Sequence, residues 1–355
     1  MSSPAQEADV RFYSIANSAY FIGLVGLINS IRASGHVDPI LVLDTGLTRE
    51  QRELIGEHVE MIEGPGDVPA LFLKDIGMRA RPAEVMIYLD ADVLVLRRLD
   101  PFVADAARGT IVVFEDRLAE FENDRTGLWP PIYDAWMNRL RLQELIPRPY
   151  ANAGMMILPR DMGLALLAEL RDAQGLIDND ETFVGSTDLP RPSDPFYFGD
   201  QDLMNAFLSL PRYFRATHTL PHSNASSPPY NGLAAAEHGL SCTTESPDVE
   251  PPFLLHQIQS KPWLKRMRTD VYYELLVRAI NHPGGPVRLD RDSIPAFLRS
   301  GPEGEVARRR RALVARLEAR ARGRLKIRGW LSDERRRRAI RAGGYRSDRH
   351  PVDGP

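Results

Sequence analysis

Two rhythms of apolar residues alternate along the chain. "RFYSIA" from Arg11 is a short apolar run of the kind that forms a buried strand, and "FIGLVGLINSIRASG" from Phe21 repeats its apolar positions at helical spacing until Gly35 stops it. "PILVLDTG" and "VEMIEG" read as further strands, with "LTREQRELIGEH" as a helix between them. "ALFLKDIGMRA" is a helix feeding the extended run "EVMIYLDADVLVL", and "GTIVVFED" and "ANAGMMILPRD" are two more strands. "MGLALLAELRDAQG" and "DQDLMNAFLSL" return to helical spacing, and "KPWLKRMRTDVYYELLVRAI" reads as a last long helix. Strands alternating with helices need crossover connections, so the pattern predicts an α/β fold around a mostly parallel sheet. Residues 217–252, rich in Pro, Ser and Asn, read as one long loop, a feature that is uncommon unless it serves a function. The strongest break is Pro283-Gly284-Gly285-Pro286, so the expected organisation is a body over 1–282, a linker over 283–300 and a tail over 301–355.

Composition adds two constraints. At 355 residues with 43% hydrophobic content the chain can bury a sizeable core, and its one cysteine, Cys242, excludes an intrachain disulfide framework, which fits a reducing cytosol. "MSSPAQEADVRFYSIANS" has no basic segment followed by an apolar one, so no signal peptide is expected, and the longest apolar run, "YFIGLVGLI", is too short to span a bilayer. The net charge of −3 conceals an asymmetry, because residues 301–355 hold 17 Lys and Arg against 7 Asp and Glu, a net of +10 that leaves −13 on the rest.

"MIYLDADVLVLRRL" places Asp90 and Asp92 two apart in an otherwise apolar run. In a strand such residues share a face. Buried carboxylates without a partner are costly, and two side by side call for a cation; oxygen ligands favour Mg2+, Mn2+ or Ca2+. The alternative is that the strand has already ended and the pair is a solvated turn. "FLLHQIQSKPW" offers His256 as a third ligand and Lys261 as a phosphate partner, against plainer roles as a structural histidine and a surface lysine.

Taken together, these stretches resemble glycosyltransferase family 8, the retaining nucleotide-sugar transferases that include glycogenin and bacterial lipopolysaccharide glucosyl- and galactosyltransferases. "ANSAYFIGLVGLINSIR", "YLDADVLVL", "YANAGMMIL", "FGDQDLMN" and "HQIQSKPW" stand in the family's order over roughly residues 10–270. The resemblance implies a GT-A fold, with 1–282 as the catalytic domain, and transfer of glucose or galactose from a UDP-sugar to a glycan or glycolipid acceptor with retention of configuration. It implies a Mn2+ site, with Mg2+ as the alternative, formed by Asp90, Asp92 and His256 and gripping the donor diphosphate. It further implies that Tyr20 stacks on uracil, Asn17 binds the base edge, Lys74 lies near the nucleotide or donor sugar and Lys261 contacts the diphosphate. Asn152 and Gly154 would line the sugar site, and Asp200 and Gln201 would face the sugar and its anomeric carbon, with Gln201 stabilising positive charge there. Plainer roles stand beside these: a core aromatic for Tyr20, a helix cap for Asn17 and Asp200, a helix-surface charge for Lys74, a turn and a packing residue for Asn152 and Gly154. Two departures stand out. The family usually spaces its His and Lys one residue further apart with a Gly between, where this chain has Gln259 or Ser260. Its additional sugar-binding Asp has three possible counterparts, Asp116, Asp124 and Asp134.

The tail "ARRRRALVARLEARARGRLKIRGW" suits an anionic membrane surface with Trp330 at the interface, or else a solvated helix or disordered arm. A cytoplasmic place is expected, with peripheral attachment to the inner face of a membrane if the tail engages it. Nucleic acid is disfavoured by the acidic body. Against the enzyme stands a different class of function, a nucleotide-sugar-binding or membrane-scaffold protein that kept the fold and lost turnover. The short His-to-Lys segment favours that reading; Asp90, Asp92, Asp200 and Gln201 favour the enzyme. Residues 117–148 and 217–252 are expected to shape the acceptor pocket.

Overall fold

The computed structural model describes residues 8–298 apart from 67, 117–128, 178–194, 197, 259, 266–269, 283 and 296–297. Its centre is β1 (Val10–Ala16), nearly all buried, with β2 (Ile40–Asp44) and β4 (Val85–Leu89) parallel to it on either side and β3 (Glu60–Glu63) parallel to β2. These strands and their crossovers, α1 (Phe21–Ala33), α2 (Arg49–Ile55) and α3 (Lys74–Ala80), follow the apolar rhythm of the sequence. Local chemistry fixes the helix starts. Thr48 and Gln51 form a reciprocal capping box at α2, and the Asn17 side chain accepts from the Ala19 and Tyr20 amides in the turn before α1.

Beyond β4 the direction changes. β7 (Ala151–Pro159) runs antiparallel to both β4 and β6 (Ile111–Glu115), and β8 (Thr217–Leu220) is parallel to β6, so the sheet order is β3-β2-β1-β4-β7-β6-β8. The sheet is mixed and mostly parallel. β6 advances from Val113 to Glu115 while β7 runs from Met156 to Ala151, so β7 bulges over Asn152–Met155 and re-aims its residues there. One face of the sheet is covered by α1, α4 (Asp100–Ala107) and α9 (Val271–Ile280). The other is covered by α3, α5 (Trp129–Leu140), α6 (Arg160–Gln174), α7 (Asp200–Leu208) and the short α8 (Pro211–Phe214). Alternation along β4 serves both faces, with Val85, Ile87 and Leu89 toward the first and Met86 and Tyr88 toward the second.

Four expectations are corrected. The run "EVMIYLDADVLVL" is two strands. β4 ends at Leu89, Val93 N–H bonds back to Asp90 O at 3.0 Å, and β5 (Val93–Val95) leaves for a second sheet with β12 (Leu254–His256) and β9 (Ala225–Ser226). Residues 217–252 are no single loop: they hold β8, β9 and a hairpin of β10 (Leu233–Ala235) and β11 (Cys242–Thr244). The last long helix begins only at α9, where Asp270 caps by accepting the Tyr273 amide at 2.8 Å; Lys261–Lys265 is a turn. The described part of the segment read as a linker packs onto the body. Val287, Ile294 and Leu298 join the core, and Asn29 donates to Val287 O at 2.8 Å and accepts from Val287 N at 3.1 Å. The tail 301–355, with its expected helix and membrane contact, lies outside the described residues. Among the described residues no helix is long and apolar enough to cross a membrane.

Candidate active site

The parallel strands β1 and β4 end side by side, and their carboxyl ends open into a cavity of about 670 Å³. Ligand sites of open α/β sheets form at this edge. Asp90 and Asp92 stand in the turn between the two sheets. Their plainer reading was half right, since the strand has ended, but the turn is not solvated: Asp92 is 5% exposed. The reason is that each residue is tied to a different sheet. Asp90 N–H donates to Gly154 O of β7 at 2.8 Å, and Asp92 O accepts Gln257 N–H at 3.0 Å just past β12. The β5–β12 pairing sets His256 opposite Val93, which brings its ring to the carboxylates. His256 Nε2 lies 3.1 Å from Asp92 Oδ1 and 3.8 Å from Asp90 Oδ2.

This donor set fits a hard divalent cation. Ligands about 2.1 Å from one ion stand about 3 Å apart when cis and about 4.2 Å apart when trans, and the three ligand atoms here all lie within 4.8 Å of one another. Asp92 Oδ1 is buried and meets no donor except His256 Nε2 among the described residues, as one of two neighbouring ligand atoms would. Gly154 leaves the room: a Cβ there would stand 2.5 Å from His256 Cε1 and 2.6 Å from Asp90 Oδ2.

Two partly buried lysines balance the carboxylates. Lys74, at the start of α3, donates to Ala153 O at 2.9 Å and pairs with Asp200 at 2.8 Å and Asp90 at 3.5 Å. Burial works against its ammonium, but Asp200 and Asp90 outweigh it and its pKa is raised. Lys74 is therefore neither a helix-surface charge nor free for a ligand. Lys261 bonds Asp92 Oδ2 and Gln257 O. Burial of Asp92 favours its neutral form, yet Lys261 and His256 hold its pKa well below the usual carboxylate range. Asp200 goes the other way, pushed up by burial in spite of Lys74.

The β7 bulge supplies the polar wall. Asn152 donates to Asp116 Oδ2 at 2.6 Å and accepts the Gly154 amide at 2.8 Å. Gln201, in the first turn of α7, accepts the Ala153 amide through Oε1 at 3.2 Å and donates to Asp116 through Nε2 at 3.3 Å. Asp116 thus reaches the site; Asp134 is exposed on α5, and Asp124 lies outside the described residues. Its signal in the sequence was position alone, directly after β6. At the far side Asn17 caps the turn that carries Tyr20, as its plainer role had it, and the cap leaves its Nδ2 without a partner among the described residues. Tyr20 packs edge-on against Trp263 with centroids 6.0 Å apart, and Trp263 donates to Ala19 O at 2.8 Å. All eleven residues singled out in the sequence line this one cavity.

No protein-family model and no curated protein matches the sequence. Solved structures do. A bifunctional glycosyltransferase, WbbM, is 16% identical with a TM-score of 0.50 over 80% of this chain and 51% of that one. An active-site mutant of LgtC is 15% identical, with a TM-score of 0.49 over 75% of this chain and 93% of that one. GlyE of Streptococcus pneumoniae TIGR4 is 14% identical, with a TM-score of 0.48 over 76% and 60%. The chain therefore spans about half the length of WbbM. The likeness is one of architecture: the chain has the mixed α/β fold with a mostly parallel central sheet found in GT-A glycosyltransferases.

Proposed function

We propose that this chain is a retaining glycosyltransferase that moves a hexose, glucose or galactose, from a UDP-sugar to a glycan or lipid-linked acceptor. The observation that carries the reading is the convergence of Asp90, Asp92 and His256 at the mouth of a cavity that also holds Tyr20, Asp116 and Gln201. Asp90, Asp92 and His256 would hold Mn2+ or Mg2+. Such a cation offsets the charge gathering on a departing diphosphate. Tyr20, backed by Trp263, offers a ring to the uracil, and Nδ2 of Asn17 offers a donor to its edge. Lys261 is the ammonium for the diphosphate. Asp116 and Asn152 give the donor sugar a wall of hydrogen-bonding groups, with Gly154 keeping that wall thin.

Gln201 is a weak nucleophile, and both ends of its amide are already held, so it orients rather than attacks. The second lone pair of Oε1 can stabilise positive charge at the anomeric carbon. That favours attack by the acceptor from the face the phosphate leaves, with the leaving phosphate oxygen taking the acceptor proton. Lys74 fixes Asp90 and Asp200 and is a positioning residue.

Calorimetric titration of UDP into the protein, with Mn2+ and then with EDTA, tests this on wild type and Asp92→Ala. Binding that needs Mn2+ and is lost in folded Asp92→Ala is expected. A folded wild type that binds no UDP would refute the donor site and leave a scaffold role on the same fold.

A further inference from the structure

The two oxygens of Asp92 face different groups. Oδ1 is turned to His256 and is the candidate ligand atom, while Oδ2 is bound by the Lys261 ammonium. Lys261 does not reach this place by chance. The backbone that carries it is tied to the same carboxylate, through the Gln257 N–H to Asp92 O at 3.0 Å, the Gln257 side chain to Ser260 O at 3.0 Å, and Tyr230 OH to Gln257 Oε1 at 2.9 Å. The ammonium spends one proton on Asp92 and one on Gln257 O. Its third has no acceptor among the described residues, and the ammonium stands 5.9 Å from the centre of the Tyr20 ring, on the cavity wall.

Charge gives this a consequence. A divalent cation at Asp90, Asp92 and His256 would stand beside the ammonium that already pairs with one of its carboxylates, and the two positive charges repel. A diphosphate brings negative charge that offers the ammonium another partner and balances the cation.

We infer that Lys261 is a built-in competitor of the metal, which weakens the site for a bare divalent cation and couples cation binding to the arrival of a diphosphate. The diphosphate draws the ammonium off Asp92 Oδ2, and the full carboxylate charge becomes available to the cation. The inference rests on the cation site proposed above and goes beyond it.

The test is Lys261→Met, which keeps the stem and removes the charge. Free Mn2+ is followed by electron paramagnetic resonance in the absence of nucleotide, and UDP affinity by calorimetry with and without saturating Mn2+. Bare Mn2+ should bind the folded variant at least about tenfold more tightly than wild type, since one positive charge has left an ion-pair distance. The factor by which Mn2+ tightens UDP, equal by linkage to the factor by which UDP tightens Mn2+, should exceed about ten in wild type and fall to a few-fold in the variant. Folded Lys261→Met that takes bare Mn2+ no better than wild type overturns the inference and leaves the cation site standing. Wild type that takes up no Mn2+ even with UDP overturns both. Should the Met variant fail to fold, Lys261→Gln and the wild-type coupling factor decide, and a factor near one overturns the inference.

Discussion

Gly154→Ala isolates the candidate metal site from the rest of the fold. Gly154 lies in the middle of β7, its carbonyl accepts Asp90 N–H at 2.8 Å, and its neighbour Met155 pairs with Leu89, so the backbone cannot retreat. An added Cβ would stand 2.5 Å from His256 Cε1, 2.6 Å from Asp90 Oδ2 and 3.0 Å from Asn152 Oδ1. Non-bonded carbons settle about 3.5–4 Å apart, so the imidazole must withdraw by about 1 Å and the carboxylate by more than about half an ångström. Metal–ligand distances tolerate about 0.2 Å. Mn2+ affinity should fall at least about tenfold, while the fold loses only about 1–3 kcal/mol to overpacking. Gly175→Ala is the control, because no atom within 4 Å would meet its Cβ and its backbone is right-handed helical. Paramagnetic resonance titration of Mn2+ and thermal unfolding, run on both variants and wild type, make the comparison. A folded Gly154→Ala that binds Mn2+ like wild type would show that Asp90 and His256 do not share an ion.

Two other groups yield tests of the buried charge. Burial pushes the Asp202 carboxyl up to about 7, against the Tyr150 hydroxyl and the Phe198 amide that it accepts. A carboxyl raised on folding contributes stability that is full below the unfolded value near 4 and lost as pH rises through about 7, with a slope of up to about 1.4 kcal/mol per pH unit. Asp202→Asn, which mimics the protonated acid, should flatten that slope in urea unfolding from pH 4 to 8; an unchanged slope rejects the assignment. Lys74→Met leaves Asp200 and Asp90 without their shared counter-charge, at a cost of about 3–5 kcal/mol near pH 8. Because burial already raises Asp200, the loss should shrink as the pH falls. A loss that ignores pH would mean Lys74 acts through packing alone.

Strong periodicity made the first half of the fold legible. β1, β2, β4 and α1 each bury enough apolar surface for the rhythm to register, and α2, β3 and α3 fill the intervals between them. What escaped had little rhythm to read. β9 and β12 are too short to alternate, β10 and β11 sit among turn residues, and the direction of β7 is a property of the connection rather than of "ANAGMMIL". The break at Asp90 was hidden because Val93, Leu94 and Val95 are buried whichever sheet they join. The site was more legible than the fold around it. Asn17, Lys74, Asp90, Asp200 and His256 lie at the ends of regular elements, where a charged or polar side chain stands out against an apolar run. Asp116 shares that position after "IVVFE", and only the β7 bulge, which no spacing foretells, brings Asn152 and Gln201 to it.

The turn between β4 and β5 has a mechanical side. Asp90 is stitched to the large sheet and Asp92 to the small one, with Ala91 alone between them. Any slip of one sheet past the other is therefore written directly into the gap between two carboxylates. An ion bridging them would act as a rivet across that seam, resisting shear at the place where the sheets part. Occupancy and stiffness would then be one variable.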